Sequence, residues 1–195
     1  MQVEIAMAVF ALASSITPGP VNTLVFSQAL HHGLARSLRI TAGATAGFIL
    51  LLLASGAGLM GLLQQWPSLL WLMQCFGVLY LLYLAYQISR SAASLQANKT
   101  PPAHALSGAV LQWLNPKAWL ACMAGISAFV PADQPQQLLV FAALYALICF
   151  VSVGCWALAG ALLQRSTLSG PWLRAINNGM ALMLCISAVY WLPFW

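Results

Sequence analysis

Long apolar runs separated by short polar connections constrain this chain more than any other feature. Six such runs follow one another, at about residues 5–30, 40–63, 69–88, 106–130, 138–163 and 173–192. About 20 apolar residues are enough to cross the hydrocarbon core of a bilayer. Because 62% of the residues are hydrophobic and only 5% are charged, no water-soluble domain is expected. We therefore predict an all-α membrane protein with six transmembrane helices, forming a single domain over residues 1–195.

Positive charges are unevenly distributed over the predicted connections between the runs. The first, third and fifth connections carry lysine or arginine, whereas the second and fourth carry neither. Cytoplasmic loops of membrane proteins are enriched in these residues, so the odd-numbered connections are predicted to be cytoplasmic. We therefore expect a multi-pass membrane protein with both termini on the outer side. The residues behind this prediction are Arg36, Arg39, Arg90, Lys99, Arg165 and Arg174.

The sequence has no motif for catalysis, metal binding or nucleic-acid binding. It contains no nucleophile elbow, and His31 and His32 have no cysteine or acidic residue at metal-ligand spacing. We interpret this histidine pair as a solvated helix end. The basic residues form no stripe with interleaved aromatics, and the five cysteines form no C-x-x-C pair. We therefore expect no enzyme activity, no metal, no cofactor and no nucleic-acid partner, with the cysteines reduced.

Two of the six runs carry prolines that would interrupt a helix. The first run contains Thr17-Pro18-Gly19-Pro20, and the fourth contains Asn115-Pro116. The breaks divide the chain into two three-span halves, about residues 1–90 and 105–195, joined by a cytoplasmic loop over about 91–104. Because three is an odd number, the halves are inverted relative to each other. Broken helices at matching positions of inverted halves indicate a transporter site near the membrane midplane, although two simple helix kinks remain the alternative.

Each break has the residue types of a helix start. Thr17 and Asn115 are capping types, and each is followed by a proline, which suits the first position of a helix. Each pair is therefore predicted to start a half-helix, whose free N–H groups and positive dipole end would suit an anion such as a carboxylate. The predicted substrate-binding residues are Thr17, Pro18, Gly19, Pro20, Asn22, Asn115, Pro116 and Lys117.

Lys117 is the only lysine or arginine that falls deep inside a predicted span. A lysine at the middle of a membrane helix costs about 2.5 to 3.5 kcal/mol on insertion scales, so its charge needs compensation. Its stem reaches only about 6 Å, short of the nearer interface. The two acids, Glu4 and Asp133, map to the outer side. The alternatives left are a wet cavity, carbonyl groups at a half-helix end, loss of its proton, or the carboxylate of a bound molecule. Lys117 is expected to face the cavity, where it would bind substrate or couple protons.

Gly43 and Gly47 form a G-x-x-x-G motif in the second run. Small residues at this spacing let membrane helices approach closely, so we expect helix packing here. Sliding of one helix along another is the alternative.

Several segments carry a resemblance to a known family. They are Thr17-Pro18-Gly19-Pro20-Val21-Asn22, residues 33–47, Leu114-Asn115-Pro116-Lys117-Ala118, and Cys155-Trp156-Ala157-Leu158-Ala159-Gly160. On these segments, and over essentially its whole length, the chain resembles the LysE/RhtB family of amino-acid exporters. One departure is Val21, because the family's usual T-P-G-P-N has asparagine directly after the second proline.

The resemblance implies secondary active export of small amino acids or their derivatives across the bacterial inner membrane, driven by the proton-motive force. In that membrane the two outward-facing termini are expected in the periplasm. It implies an amino-acid substrate and membrane lipid as partners, with a homodimer as an open alternative. Family members export basic, neutral or sulfur-containing substrates on one scaffold, so the resemblance does not name the substrate. Two other functions stay open, a passive channel and a thiol-redox carrier, which needs two cysteines about 5 to 6 Å apart between Cα atoms.

Overall fold

The computed structural model describes residues 2–90, 103–165 and 170–190, which are helical and contain no strand. In chain order the helices are α1 (Gln2–Ile16), α2 (Pro20–His32), α3 (Leu34–Gly56), α4 (Leu59–Gln65), α5 (Pro67–Ser89), α6 (Ala105–Trp113), α7 (Pro116–Phe129), α8 (Gln137–Gln164) and α9 (Gly170–Tyr190). Prolines stand at the start of α2, α5 and α7, where the missing N–H leaves no hydrogen bond unmade.

Four helices in the described ranges, α3, α5, α8 and α9, are each long and apolar enough to cross a membrane. Helices α1 and α2 form a fifth such unit, bent by 58° at the break between them. The predicted runs over 69–88 and 138–163 correspond closely to α5, which covers 67–89, and to α8, which covers 137–164. The predicted end of the last span, at about residue 192, lies outside the described residues, as does Lys99 of the third connection.

The second predicted run, about residues 40–63, is not one continuous helix. Helix α3 ends at Gly56, and the short α4 begins only after Gly58. Gly58 has a φ of 98°, in the left-handed region that favours glycine, and the chain turns there. Apolar residues continue through this turn, so hydrophobicity alone does not mark the helix end.

The first predicted connection is reduced to Gly33, which has a φ of 84° between α2 and α3. Arg36 and Arg39 therefore lie exposed near the start of α3 rather than in a loop. At the end of α2, His31 is only 5% exposed, so its interpretation as part of a solvated helix end is wrong. The cause is tertiary, since α2 packs against both α3 and α8 and is buried along nearly its whole length.

Helices α3 and α8 form the centre of the packing. Helix α3 contacts α6 and α8, α8 also contacts α1 and α2, and α5 packs chiefly against α9. Glycines allow the close approach of α3 and α6. A Cβ atom added at Gly47 would lie 2.6 Å from Ala109 Cα, and one added at Gly43 or Gly108 would overlap backbone of the facing helix. The predicted packing role of the G-x-x-x-G motif is confirmed.

Large apolar side chains cover much of the outer surface. Phe76 and Leu79 on α5 are each 62% exposed, and Leu147 on α8 is 67% exposed. Such a surface suits hydrocarbon rather than water, which fits the apolar composition of the helices that carry it.

Candidate functional site

The break between α1 and α2 is built differently from the sequence prediction. Helix α2 has Pro20 at its start, and its N-cap is Gly19 in an extended conformation with φ −176°. The Thr17 hydroxyl donates to the carbonyl oxygens of Ala13 at 3.0 Å and Ser14 at 3.3 Å. The expectation that Thr17 caps the following helix is therefore wrong. Thr17 belongs to the end of α1, because the second of the two prolines, and not the first, begins the next helix.

The break between α6 and α7 is a side-chain-capped helix start. Asn115 is the N-cap of α7, and Pro116 occupies the first helical position. The Asn115 side-chain oxygen accepts a hydrogen bond from the Lys117 backbone N–H at 3.1 Å. Its amide nitrogen donates to Gln112 Oε1 at 3.4 Å, so the buried cap is held from both sides.

The carbonyl groups around the end of α1 form a continuous row of acceptors. The last carbonyls of a helix have no partner within it, and hydrocarbon offers no water to satisfy them. Here the carbonyl oxygens of residues 13–18 all accept hydrogen bonds from side chains. Beyond the two from Thr17, these are Asn22 Nδ2 to Ser15 at 2.9 Å and Thr17 at 2.8 Å, Trp156 Nε1 to Ile16 at 3.0 Å, and Lys117 Nζ to Thr17 and Pro18.

Lys117 joins the two breaks. Its ammonium group donates to Thr17 O at 2.5 Å and to Pro18 O at 3.3 Å, so α7 is tied to the end of α1. Glu4 lies in the first turn of α1 and Asp133 lies exposed between α7 and α8. The hydrogen bonds that the Lys117 ammonium group makes in the structure are to carbonyl groups at a half-helix end, which is one of the predicted alternatives.

A small, partly open cavity lies where the two breaks meet. Its volume is about 40 Å³, room for a few water molecules, since about 10 to 15 Å³ is enough to hold one. In this conformation side chains fill most of the site, and a larger molecule needs it to open. The lining residues are Ser14, Ser15, Gly19, Val21, Asn22, Phe48, Gln112, Asn115, Lys117, Ala118, Ala121, Tyr145, Cys149 and Val153.

Four of the eight predicted site residues line this cavity: Gly19, Asn22, Asn115 and Lys117. The other four do not line it, although two of them contact Lys117 through their carbonyl groups: Thr17, Pro18, Pro20 and Pro116. The structure thus brings the two predicted motifs together. Within the first motif, however, Thr17 and Pro18 contribute their carbonyl groups and not their side chains.

The residues on the α8 side of the cavity were not predicted from the sequence. Tyr145 bonds to Ser14 through the two hydroxyl groups at 2.6 Å and stacks on Phe48 with a centroid distance of 4.2 Å. Ser15 Oγ is buried and has no hydrogen-bond partner among the described residues, and Cys149 is also buried. The one available signal was a tyrosine in the middle of an apolar run, since a buried hydroxyl needs a partner.

Interrupted helices that meet at a cavity lined by polar side chains are a feature of many membrane transporters. Comparison with known families agrees with this class. The chain belongs to the LysE family: the family model described as LysE type translocator matches residues 12–192. It is accordingly a translocator and not an enzyme, and a multi-pass protein of the inner membrane.

Similar proteins are known from several enterobacteria. A cysteine/O-acetylserine efflux protein of Klebsiella pneumoniae subsp. pneumoniae is 33% identical over 186 residues, which are 94% of this chain and 94% of the relative. Proteins of the same name from Escherichia coli O1:K1 and Salmonella choleraesuis are each 33% identical over 182 residues, 92% of both chains. No solved structure matches the chain.

Proposed function

We propose that this protein is a secondary active exporter of small neutral amino acids, or of their derivatives, across the bacterial inner membrane. The observation that carries the proposal is the Lys117 ammonium group at the junction of two interrupted helices, beside a polar cavity. The relatives' names, which specify cysteine and O-acetylserine, support an amino acid with a short polar side chain.

The helix contacts support two inverted repeats. If α1 corresponds to α6, α2 to α7, α3 to α8 and α5 to α9, each major contact has a counterpart. The contact of α3 with α6 then corresponds to that of α8 with α1, and the contact of α2 with α8 to that of α7 with α3. The contact of α3 with α8 joins two corresponding helices, as does the contact of α5 with α9, so each of these contacts is its own counterpart. We infer that α6 and α7 together make the sixth crossing, with both termini in the periplasm.

The chemistry of the cavity favours a zwitterion with an uncharged side chain. Its lining includes one cation, Lys117, and no aspartate or glutamate. The substrate carboxylate is assigned to Lys117 and to the starts of α2 and α7, where N–H groups and the helix dipole favour an anion. The substrate side chain is assigned to the region of Phe48, Tyr145 and Cys149. A basic side chain would find no acidic partner there.

Export against a gradient requires an energy source, which we assign to the proton-motive force. Lys117 is the one amine among the lining residues, so it is the group that we expect to exchange a proton during the cycle.

Counterflow in proteoliposomes tests the proposal. Purified protein should exchange labelled L-cysteine for internal L-cysteine with saturable kinetics, and external O-acetylserine should compete while L-lysine should not. A pH gradient that is acid outside the vesicle should accelerate efflux of neutral amino acid, because protons that enter the vesicle drive the amino acid out. Flux that does not saturate would instead indicate a channel, and equal competition by L-lysine would contradict the neutral-substrate assignment.

A further inference from the structure

The carbonyl groups that hold Lys117 are ligands suited to any ammonium group. Lys117 Nζ lies 2.5 Å from Thr17 O and 3.3 Å from Pro18 O, at the end of α1. The C-terminal end of a helix carries partial negative charge, and carbonyls at such ends bind cations in transporters. These oxygens cannot bind a carboxylate.

An amino acid brings its own ammonium group into the same cavity. No aspartate or glutamate is among the lining residues, so this group must be bound by neutral oxygens. Glu4 lies 13 residues before Thr17, about 20 Å along a helix at 1.5 Å per residue, and is out of reach. The carbonyls with the geometry to receive a cation are therefore those of Thr17 and Pro18, which Lys117 already occupies.

We propose that Lys117 is a placeholder for the α-ammonium group of the substrate, an inference that rests on the proposed function. When the substrate binds, its ammonium group takes over the Thr17 and Pro18 carbonyls, and Lys117 turns to the substrate carboxylate. The carbonyls then hold one cation in both the empty and the loaded protein. Both charges of the zwitterion are required. The carboxylate attracts Lys117 away from the Thr17 and Pro18 carbonyls, and the ammonium group takes its place there.

The surroundings of the lysine fit an exchange of this kind. The Lys117 side chain packs directly against Gly19, because a Cβ atom there would lie 3.2 Å from Lys117 Cδ and 3.4 Å from Nζ. A larger residue at this position would crowd the lysine. Asn22 Nδ2 donates to Thr17 O at 2.8 Å independently of Lys117. The carbonyl is thus held in position while its second donor changes.

The test uses L-cysteine and two fragments that each lack one charge. Cysteamine lacks the carboxylate, and 3-mercaptopropionate lacks the ammonium group. Binding is measured by isothermal titration to the purified full-length protein under reducing conditions. Each fragment should bind the unmodified protein at least about tenfold more weakly than L-cysteine, because each leaves one hydrogen-bonded charge unpaired.

The variant Lys117→Met separates a placeholder from a residue that only binds carboxylate. Affinity for L-cysteine should fall about tenfold or more, whereas affinity for cysteamine should rise, because the carbonyls no longer hold a competing ammonium group. The exposed Arg36→Met is the matched control and should leave both affinities unchanged. Unchanged cysteamine affinity in Lys117→Met, or unmodified protein that binds 3-mercaptopropionate as well as L-cysteine, would overturn the inference alone. Failure of the unmodified protein to bind L-cysteine would overturn the proposed function together with it.

Discussion

At the residue scale, one carbonyl group connects the two halves of the chain. Thr17 O accepts hydrogen bonds from Asn22 of the same half and from Lys117 of the other half. Inside a membrane there is no water to donate a hydrogen bond to such a carbonyl group. The side chains that donate to it therefore determine whether the break is stable. The polar residues of the site therefore maintain the interrupted helix as well as the cavity.

Replacing Asn22 with alanine tests this structural role. The change removes the donor to the Ser15 carbonyl and one of two donors to the Thr17 carbonyl, both at buried or half-buried positions. We expect the free energy of unfolding to fall by about 2 to 3 kcal/mol and the melting temperature of the detergent-solubilised protein to fall by about 5 °C or more. Asn178→Ala, at an exposed position of α9, is the control. Equal melting temperatures for the two variants would show that the carbonyls find other partners.

The residues of the site were only partly predictable from the sequence. The free-energy cost of a lysine deep in a span predicts that Lys117 is important. The sequence left several alternatives open for the groups that it contacts. Asn115 caps α7 as predicted, whereas Thr17 does not cap α2, since two prolines stand close together there and either could begin a helix. Tyr145 belongs to an apolar run whose periodicity gives no sign of Ser14 across the bundle.

At the scale of the helices, backbone contact between α3 and α6 fixes how the two halves meet. Each of the facing glycines lies so close to the other helix that a Cβ atom would displace backbone. Because α6 leads directly into the second break, the same contact also positions Asn115 and Lys117. Small residues here are thus a requirement of the site as much as of the fold.

The substitution Gly47→Ala tests this contact. Its Cβ would meet Ala109 Cα at 2.6 Å, a distance that forces the helices apart. We expect a loss of about 1 to 3 kcal/mol in stability, seen as a lower melting temperature. The matched change Gly179→Ala, where nothing lies within 4 Å, should be neutral or slightly stabilising. If both variants melt alike, the close approach of α3 and α6 does not limit stability.

The helices themselves show where sequence patterns suffice and where they do not. Helices α5 and α8 were predicted within two residues at each end, since polar or proline residues bound their apolar runs. The end of α3 at Gly56 was not predicted, because apolar residues continue across the turn at Gly58 into α4. Hydrophobicity indicates that a segment lies in the membrane, but backbone conformation decides where its helix stops.

At the scale of the whole molecule, the proposed inverted halves of three crossings each give an even number of crossings. With the six crossings that we propose, both termini are expected in the periplasm, because the connections that carry lysine or arginine would then be cytoplasmic. A C-terminal alkaline phosphatase fusion should then be active and a C-terminal green fluorescent protein fusion should be dark. The opposite pattern would place the C-terminus in the cytoplasm. In that case one interrupted segment would not cross the membrane, and the inverted-repeat proposal would fail.

The most direct measurement compares L-cysteine counterflow by the unmodified protein and by Lys117→Met in proteoliposomes. The substitution should reduce counterflow at least about tenfold while the protein stays folded in the membrane, because the substrate carboxylate loses its charged partner. Lys117→Arg should restore little, since a planar guanidinium fork does not fit a site built for a compact ammonium group. Normal counterflow by Lys117→Met would contradict a substrate site at the paired breaks and leave Lys117 as a structural contact of the interrupted helix.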